Sequence, residues 1–446
     1  MSIRPLGPVL LAAMALAAAS LRGDPPLAEV VEGRLAADYP SLQALYRDLH
    51  AHPELSLMEE KTSARLAAEL RAAGFEVTEK FAGTGVVAVL RNGPGPTLLI
   101  RSDMDALPVK EETGLPYASV AHSPNLSGKD VPVMHACGHD VHMTVLVGTA
   151  RMLAGLRGRW GGTVILIGQP AEEMVIGARN MLAAGLYRRF PRPDFAIGLH
   201  DDPQYPTGSV GFNEGYFTSN ADSVDITVRG IGGHGARPDN AKDPVVLAAQ
   251  IILALQTIVS REVHPGDRAV VTVGMISGGT KRNIIPDEVK LGLTVRSYTD
   301  DVRARLLGSI RRIARGEAIA AGIPEELMPV VTVIEQEGAE ATYNDPALTR
   351  RVRAAVTGLL GADQVTSAEP IMASEDFSQY GRTVEKVPIC FFVLGASAPE
   401  KLAESRRTGV LLPSLHSSKF APVPEPTIRT GVAAMTAAAL DLLAKN

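Results

Sequence analysis

From residue 38 the chain alternates two patterns: segments with apolar residues at helical spacing, and short runs that are apolar at every position. A continuous apolar run hides both faces of a strand. The alternation therefore predicts an α/β domain with a mainly parallel sheet covered by helices on both sides. Helices are expected at 42–49, 61–73, 141–156 and 178–184, and strands at 85–90, 97–101, 163–168 and 195–199. Asn92-Gly93-Pro94-Gly95-Pro96 reads as a turn between two of these strands and not as a phosphate cradle, because no helix follows it to offer free amides.

Near residue 215 the rhythm changes. A strand at 223–229, a helix at 244–260, strands at 269–277 and 289–296, a helix at 302–320 and a strand at 330–335 follow one another. That β-α-β-β-α-β order predicts a separate ferredoxin-like α+β unit. After Asn344 the first pattern resumes, with a helix at 346–359, a strand at 389–395 and a last helix at 426–443. The smaller unit, 215–338, is thus read as an insertion that splits a larger domain into 38–214 and 339–446.

Residues 1–22 read as a signal peptide: Arg4 precedes an alanine-rich apolar run from Val9 to Ala19, and small residues close it. The run is shorter than the roughly 20 residues that span a bilayer, and no second long apolar stretch is read further on. Export to the periplasm or the medium is expected, without stable membrane insertion. The 446 residues, 46% hydrophobic and 21% charged, describe a soluble protein of two or three domains. A net charge of -5 without a basic run offers nucleic acid no footing. The two cysteines, Cys137 and Cys390, are too few for a disulfide scaffold. Cys390, inside an apolar strand, reads as a core residue.

Cys137 stands in Met134-His135-Ala136-Cys137-Gly138-His139-Asp140, about thirty residues before Gln169-Pro170-Ala171-Glu172-Glu173. Together these supply a soft ligand, an imidazole and two adjacent carboxylates, the outline of a hydrolytic metal site. Cys137 and His139 are two apart, which suits a glycine-containing turn rather than one helix face. Neighbouring Glu172 and Glu173 point in different directions, so one can bind metal while the other moves protons. Asp103 and Asp105, Glu172 and Glu173, and His200 are each expected just past the carboxyl end of a strand, where open α/β sheets form their crevices.

These strings resemble the aminoacylase, hippurate hydrolase and indole-acetyl-amino-acid hydrolase group of di-metal amidohydrolases, which is related to zinc carboxypeptidases. The resemblance covers about residues 40 to 440 and is carried further by Leu49-His50-Ala51-His52-Pro53-Glu54, Arg101-Ser102-Asp103-Met104-Asp105, Gly198-Leu199-His200, Gly232-Gly233-His234-Gly235, Asn283-Ile284-Ile285-Pro286, Ser374-Glu375-Asp376-Phe377 and Leu415-His416-Ser417-Ser418. It implies two divalent ions (zinc, manganese, cobalt or nickel) held by Cys137, His139, Glu173, His200 and His416, with the thiolate bridging. It implies Glu172 as the proton carrier and Asp105 as the acid that orients a ligand. His234 would be the donor to the developing oxyanion, with Asn283 and Arg296 the groups that hold a substrate carboxylate. The small unit would serve as a lid and as the contact of a homodimer, in which His234 serves a partner's site. The implied activity is hydrolysis of the amide bond of an N-acyl amino acid or, as an alternative, of a dipeptide or other small peptide.

Other residues carry blander readings. His50, His52, His122 and His264 are expected to be structural or solvated, and Glu111 and Glu112 to form a solvated face. His135 and His142 flank the ligand turn and read equally well as supports or as structure. Asp103 reads as polar support, while Glu375 and Asp376 either line the site or cap the helix that follows. Two other classes stay open at this stage: a cysteine hydrolase built on Cys137 and a nearby histidine, and a non-catalytic binding protein descended from such enzymes.

Overall fold

The computed structural model describes residues 25–445, so the expected signal peptide lies outside them. Pro26 leads into helix α1 (Leu27–Ala51), which runs well ahead of the expected start at 42 and contains Pro40. Helix α2 (Glu60–Ala72) is followed by β1 (Glu76–Phe81), an edge strand the apolar pattern had not marked because most of its side chains are half-exposed or exposed. The large sheet continues with β2 (Gly85–Asn92), β3 (Thr97–Asp103), β4 (Gly162–Gln169), β5 (Phe195–Pro206), β6 (Val210–Phe212), β11 (Val365–Ser367) and β12 (Ile389–Ser397). Its order is β1-β2-β4-β3-β5-β12-β6-β11. The four central strands β4, β3, β5 and β12 are parallel, while β1, β2 and β6 pair antiparallel, so the sheet is mixed at its margins.

Alternate residues of the central strands feed two cores. Leu98, Ile100, Leu166 and Ile197 face α1, α3 (His139–Gly155) and α8 (Pro424–Leu442). Leu99, Ile165, Ile167 and Ala196 face Ala178 and Met181 of α4 (Gly177–Ala183) together with Phe377 and Tyr380. Helix α3 is buried from His139 through Ala150 and is not amphipathic as expected, because α1 and α8 cover the side turned from the sheet.

The inserted unit is a four-stranded antiparallel sheet of β7 (Asn220–Arg229), β8 (Ala269–Gly278), β9 (Glu288–Ser297) and β10 (Val330–Ala339), in the order β8-β9-β7-β10. Helices α5 (Pro244–Thr257) and α6 (Asp300–Ala320) cover one face, giving the ferredoxin-like arrangement. Asp243 caps α5 by accepting from the Val245 and Val246 amides, with Pro244 at the first helical position. Gly215–Thr218 pairs with Thr342–Asn344, and these two segments form the neck between the units. Helix α7 (Pro346–Leu360) then returns the chain to the large domain. One helical stretch among the described residues, Pro244–Glu262, is long and apolar enough to cross a membrane, against the reading that no such stretch follows the amino end. Here its buried stripe, Leu247, Ile251, Leu255 and Ile258, packs on the small sheet.

Candidate metal centre

Strand β3 stops pairing with β5 at Arg101 and Gly198, whereas β5 continues beside β12 through His200, Asp201 and Asp202. The continuing strand carries His200 across an opened gap, so this histidine sits inside β5 and not beyond its end as expected. The gap is closed from above by the turn preceding α3. Gly138 caps that helix with φ +78, a left-handed conformation that suits glycine, and a Cβ there would lie 2.2 Å from Asp201 Oδ1. The turn can therefore press against β5 and present Cys137 and His139 to His200.

Five expected ligands converge. Cys137 Sγ lies 3.4 Å from His200 Nε2 and 3.2 Å from His416 Nε2, while Glu173 Oε2 is 3.4 Å from His416 Nε2 and Glu173 Oε1 is 4.0 Å from His139 Nε2. Two donor sets share the sulfur: Cys137, His139 and His200, and Cys137, Glu173 and His416, each with its donor atoms within 4.8 Å. His139 Nδ1–H donates to the Asp105 carbonyl at 2.7 Å and His200 Nδ1–H to the Asp201 carbonyl at 2.7 Å, which leaves both Nε2 lone pairs aimed at the shared space. His139 Nε2 and Glu173 Oε1 are buried there without a protein partner. Orphaned buried donors of this kind, with a thiol and two imidazoles each bonded through Nδ1 to a carbonyl, fit divalent cations.

The electrostatics point the same way. Burial alone would push the His139 pKa down, yet the Asp103 charge and the Asp105 hydrogen bond raise it to about 10, so the pocket favours positive charge at this ring. Burial raises the Cys137 thiol well above its usual range, and the Glu173 and Glu172 charges add to the effect. Such a thiol is no free nucleophile and becomes a thiolate only against a cation. Burial and the neighbouring Glu375 and Glu173 charges hold the Glu172 carboxyl well above its ordinary range. Its Oε2 lies 3.9 Å from His139 Nε2, beside both donor sets.

Supports surround these groups. Asp105 Oδ2 accepts from Ser56 Oγ at 2.6 Å and from the Glu173 amide at 3.0 Å, tying the His139 and Glu173 segments together. His142 bridges Asp103 Oδ1 at 2.7 Å and Asp201 Oδ1 at 3.1 Å, which makes it a support of the site. Arg101, wholly buried, donates to Gln169 at 3.0 Å, Asp103 at 2.6 Å, Glu375 at 2.8 Å and Asp376 at 3.2 Å. Sequence reasoning gave Arg101 and Gln169 no role. Their signal was a charged and an amide side chain closing two otherwise apolar strands. Glu375 does both things expected of it, accepting from the Phe377 amide as a cap and lining the cavity.

One expectation fails. Glu111 is not a solvated residue: its carboxylate is buried against the His50 ring at 3.0 Å, because the loop folds back on α1, whereas Glu112 stays exposed. His234 and Asn283 do not join the metal centre of their own chain. Both are exposed, and they sit together where Gly233–His234 pairs with Ile284–Ile285. Arg296 does reach the cavity, a cleft of about 510 Å³ that runs from Cys137, Glu172 and His416 past Phe217, Ile371 and Phe391 into the small unit.

Paired donor sets around one sulfur, with a carboxylate beside them at the strand ends of an α/β sheet, define a metal-dependent hydrolase. Residues 99–414 match the model of peptidase family M20/M25/M40, and the chain belongs to that family. It is 35% identical to an N-acetylcysteine deacetylase of Bacillus subtilis over 80% of this chain and 88% of that one. It is 36% identical to an IAA-amino acid hydrolase of Arabidopsis thaliana over 78% and 75%. The fold superposes on a dinuclear metal binding peptidase of the M20 family from Bacillus subtilis with a TM-score of 0.73, 30% identity, and coverage of 91% and 98%.

Proposed function

We propose that this enzyme hydrolyses the amide bond of N-acyl amino acids, releasing a carboxylic acid and a free amino acid. The observation that carries the reading is the sulfur of Cys137 shared by two donor sets, with Glu172 beside them. Two divalent ions held there by Cys137, His139, Glu173, His200 and His416 would supply the Lewis acidity that polarises the acyl carbonyl and makes a water molecule acidic near neutral pH. Glu172, whose Oε2 lies 3.9 Å from His139 Nε2 beside both donor sets, takes the water's proton and passes it to the departing nitrogen. Arg296 Nη1 donates to Ser374 Oγ at 3.1 Å and forms no ion pair among the described residues, which leaves the rest of its guanidinium to hold the substrate carboxylate. The names of the relatives, a deacetylase and an amino acid conjugate hydrolase, support this substrate class.

The exposed His234 and Asn283 act, in this reading, on the site of a second copy. Strand β8 is an edge of the small sheet, with Met275 71% and Ile276 60% exposed, and α5 presents Leu253 at 72% exposure. An apolar edge strand beside an apolar helix face supports pairing of two small units. Export with removal of the leader near residues 19–23 rests on the sequence pattern and is tested by amino-terminal sequencing of the mature protein.

The decisive assay is release of free amino acid from N-acetyl, N-benzoyl and longer N-acyl amino acids and from dipeptides, with metal-loaded protein and an EDTA-treated control. Metal-dependent release from N-acyl substrates is expected. Release from dipeptides alone would replace the reading with that of a dipeptidase, and chelator-resistant release would replace it with that of a cysteine hydrolase.

A further inference from the structure

His416 lies on a stretch without helix or strand, between Pro399–Thr408 and α8. Its φ of +66 is a left-handed conformation that a non-glycine residue holds only when its surroundings impose it. Its side chain is 55% exposed. Three ties restrain the stretch. The His416 amide donates to the Ala136 carbonyl at 2.8 Å. Phe420 is buried with Met134 and Ala136 against Leu107 and Val109. The Ser418 carbonyl accepts from the Glu112 amide at 2.7 Å, and Ser418 Oγ donates to Glu112 Oε2 at 2.9 Å.

Two of these ties reach the segment 107–119, which has little regular structure of its own. Its polar anchor is Glu111, whose carboxylate accepts from the Ser119 amide at 2.6 Å, from Thr113 Oγ1, and from His50 Nε2 at 3.0 Å. The other ring nitrogen of His50 lies 2.7 Å from Asp140 Oδ2, and Asp140 directly follows the ligand His139. Both ring nitrogens thus face buried carboxylates, so the ring is an imidazolium that donates to each. One cation on α1 joins the turn bearing Cys137 and His139 to the segment that clamps the His416 stretch. Without it, two carboxylates face one another out of water, a placement that is strongly unfavourable unless the loop opens.

We propose that His50 is a positioning residue for His416, acting through Glu111, Glu112 and Ser418, and thereby sets the affinity of the Cys137, Glu173 and His416 donor set for a divalent cation. The inference rests on the ligand assignment made above. Glu111 and His50 are not part of the cavity's lining.

The test is Co(II) titration of the full metal-free protein, followed by visible absorbance, for wild type, His416→Ala, His50→Phe and the double variant Glu112→Ala/Ser418→Ala. Wild type should bind two Co(II) per chain, and His416→Ala identifies the site in question. In His50→Phe that site should weaken tenfold or more while the other stays within twofold, with an unchanged circular dichroism spectrum. The double variant removes the side-chain bond at the relay's exposed end while leaving the backbone bond, and should weaken the same site at least threefold. If His50→Phe does not fold, the double variant decides alone. Constants within twofold of wild type in the folded variants, or equal weakening of both sites, overturn the proposal. Fewer than two Co(II) bound by wild type overturns the ligand assignment along with it.

Discussion

Arg101 Nη2 donates to Glu375 Oε1 across 2.8 Å, joining the end of β3 to a loop 274 residues later, with both side chains buried. The same guanidinium holds Asp103, which in turn orients His142 between β3 and β5. Replacing Arg101 by methionine would leave three buried carboxylates without their cation. We expect about 3–5 kcal/mol lost from the unfolding free energy, measured by urea titration. A variant within 1 kcal/mol of wild type would mean that the carboxylates do not depend on it.

Glu172→Gln keeps the size of the side chain and removes the proton acceptor. Metal content by elemental analysis should stay at the wild-type level, with kcat reduced about 10²- to 10⁴-fold and KM changed little. Near-normal turnover would remove Glu172 from the reaction.

Stability should depend on pH through His50. Burial acts to lower its pKa, but the hydrogen bonds and charges of Asp140 and Glu111 raise it to about 10. A pKa raised above the unfolded value of about 6.5 means stability fully present below that pH and lost as pH climbs toward 10. In EDTA, the urea midpoint of wild type should fall between pH 6.5 and 10 more steeply than that of His50→Gln. Parallel curves would show that the ring is not the charged clamp described.

Gly138→Ala should weaken metal binding by forcing the ligand turn away from Asp201, since the added Cβ would lie 2.2 Å from its carboxylate. The left-handed φ alone costs about 1–2 kcal/mol, and the clash adds to it. Elemental analysis after dialysis should show fewer than two ions per chain. A full complement would show that the turn has room to yield.

Met275→Lys on the edge strand should convert a dimer to monomer in sedimentation velocity, with activity falling alongside if His234 serves the partner's site. Monomeric wild type would remove that arrangement.

Much of the architecture was legible because the information is local. The apolar runs of β2 to β5 mark buried strands, and the order β-α-β-β-α-β marks the small unit, since each element's periodicity is written in its own residues. The donors Cys137, His139, Glu173, His200 and His416 were named through the resemblance of their motifs, and chain proximity could not have joined residues 279 positions apart. Glu111 was misread for the complementary reason: two adjacent glutamates look solvated unless the histidine 61 positions earlier is known to lie against one of them.

Taken alone, the sequence determined the elements, the two units and the chemical kinds of the donors, all of which follow from local periodicity and from which side chains can ligate or carry a proton. Only the tertiary structure decided that β4 inserts between β2 and β3, that β5 outruns β3 to carry His200 across the gap, and that Arg101 and His50 neutralise carboxylates from distant segments. It also decided that His234 is exposed and does not line the cavity of its own metal centre. Strand order, burial and the pairing of charges arise from packing between segments far apart in the chain, and that packing leaves no mark in the residues on either side of any one of them.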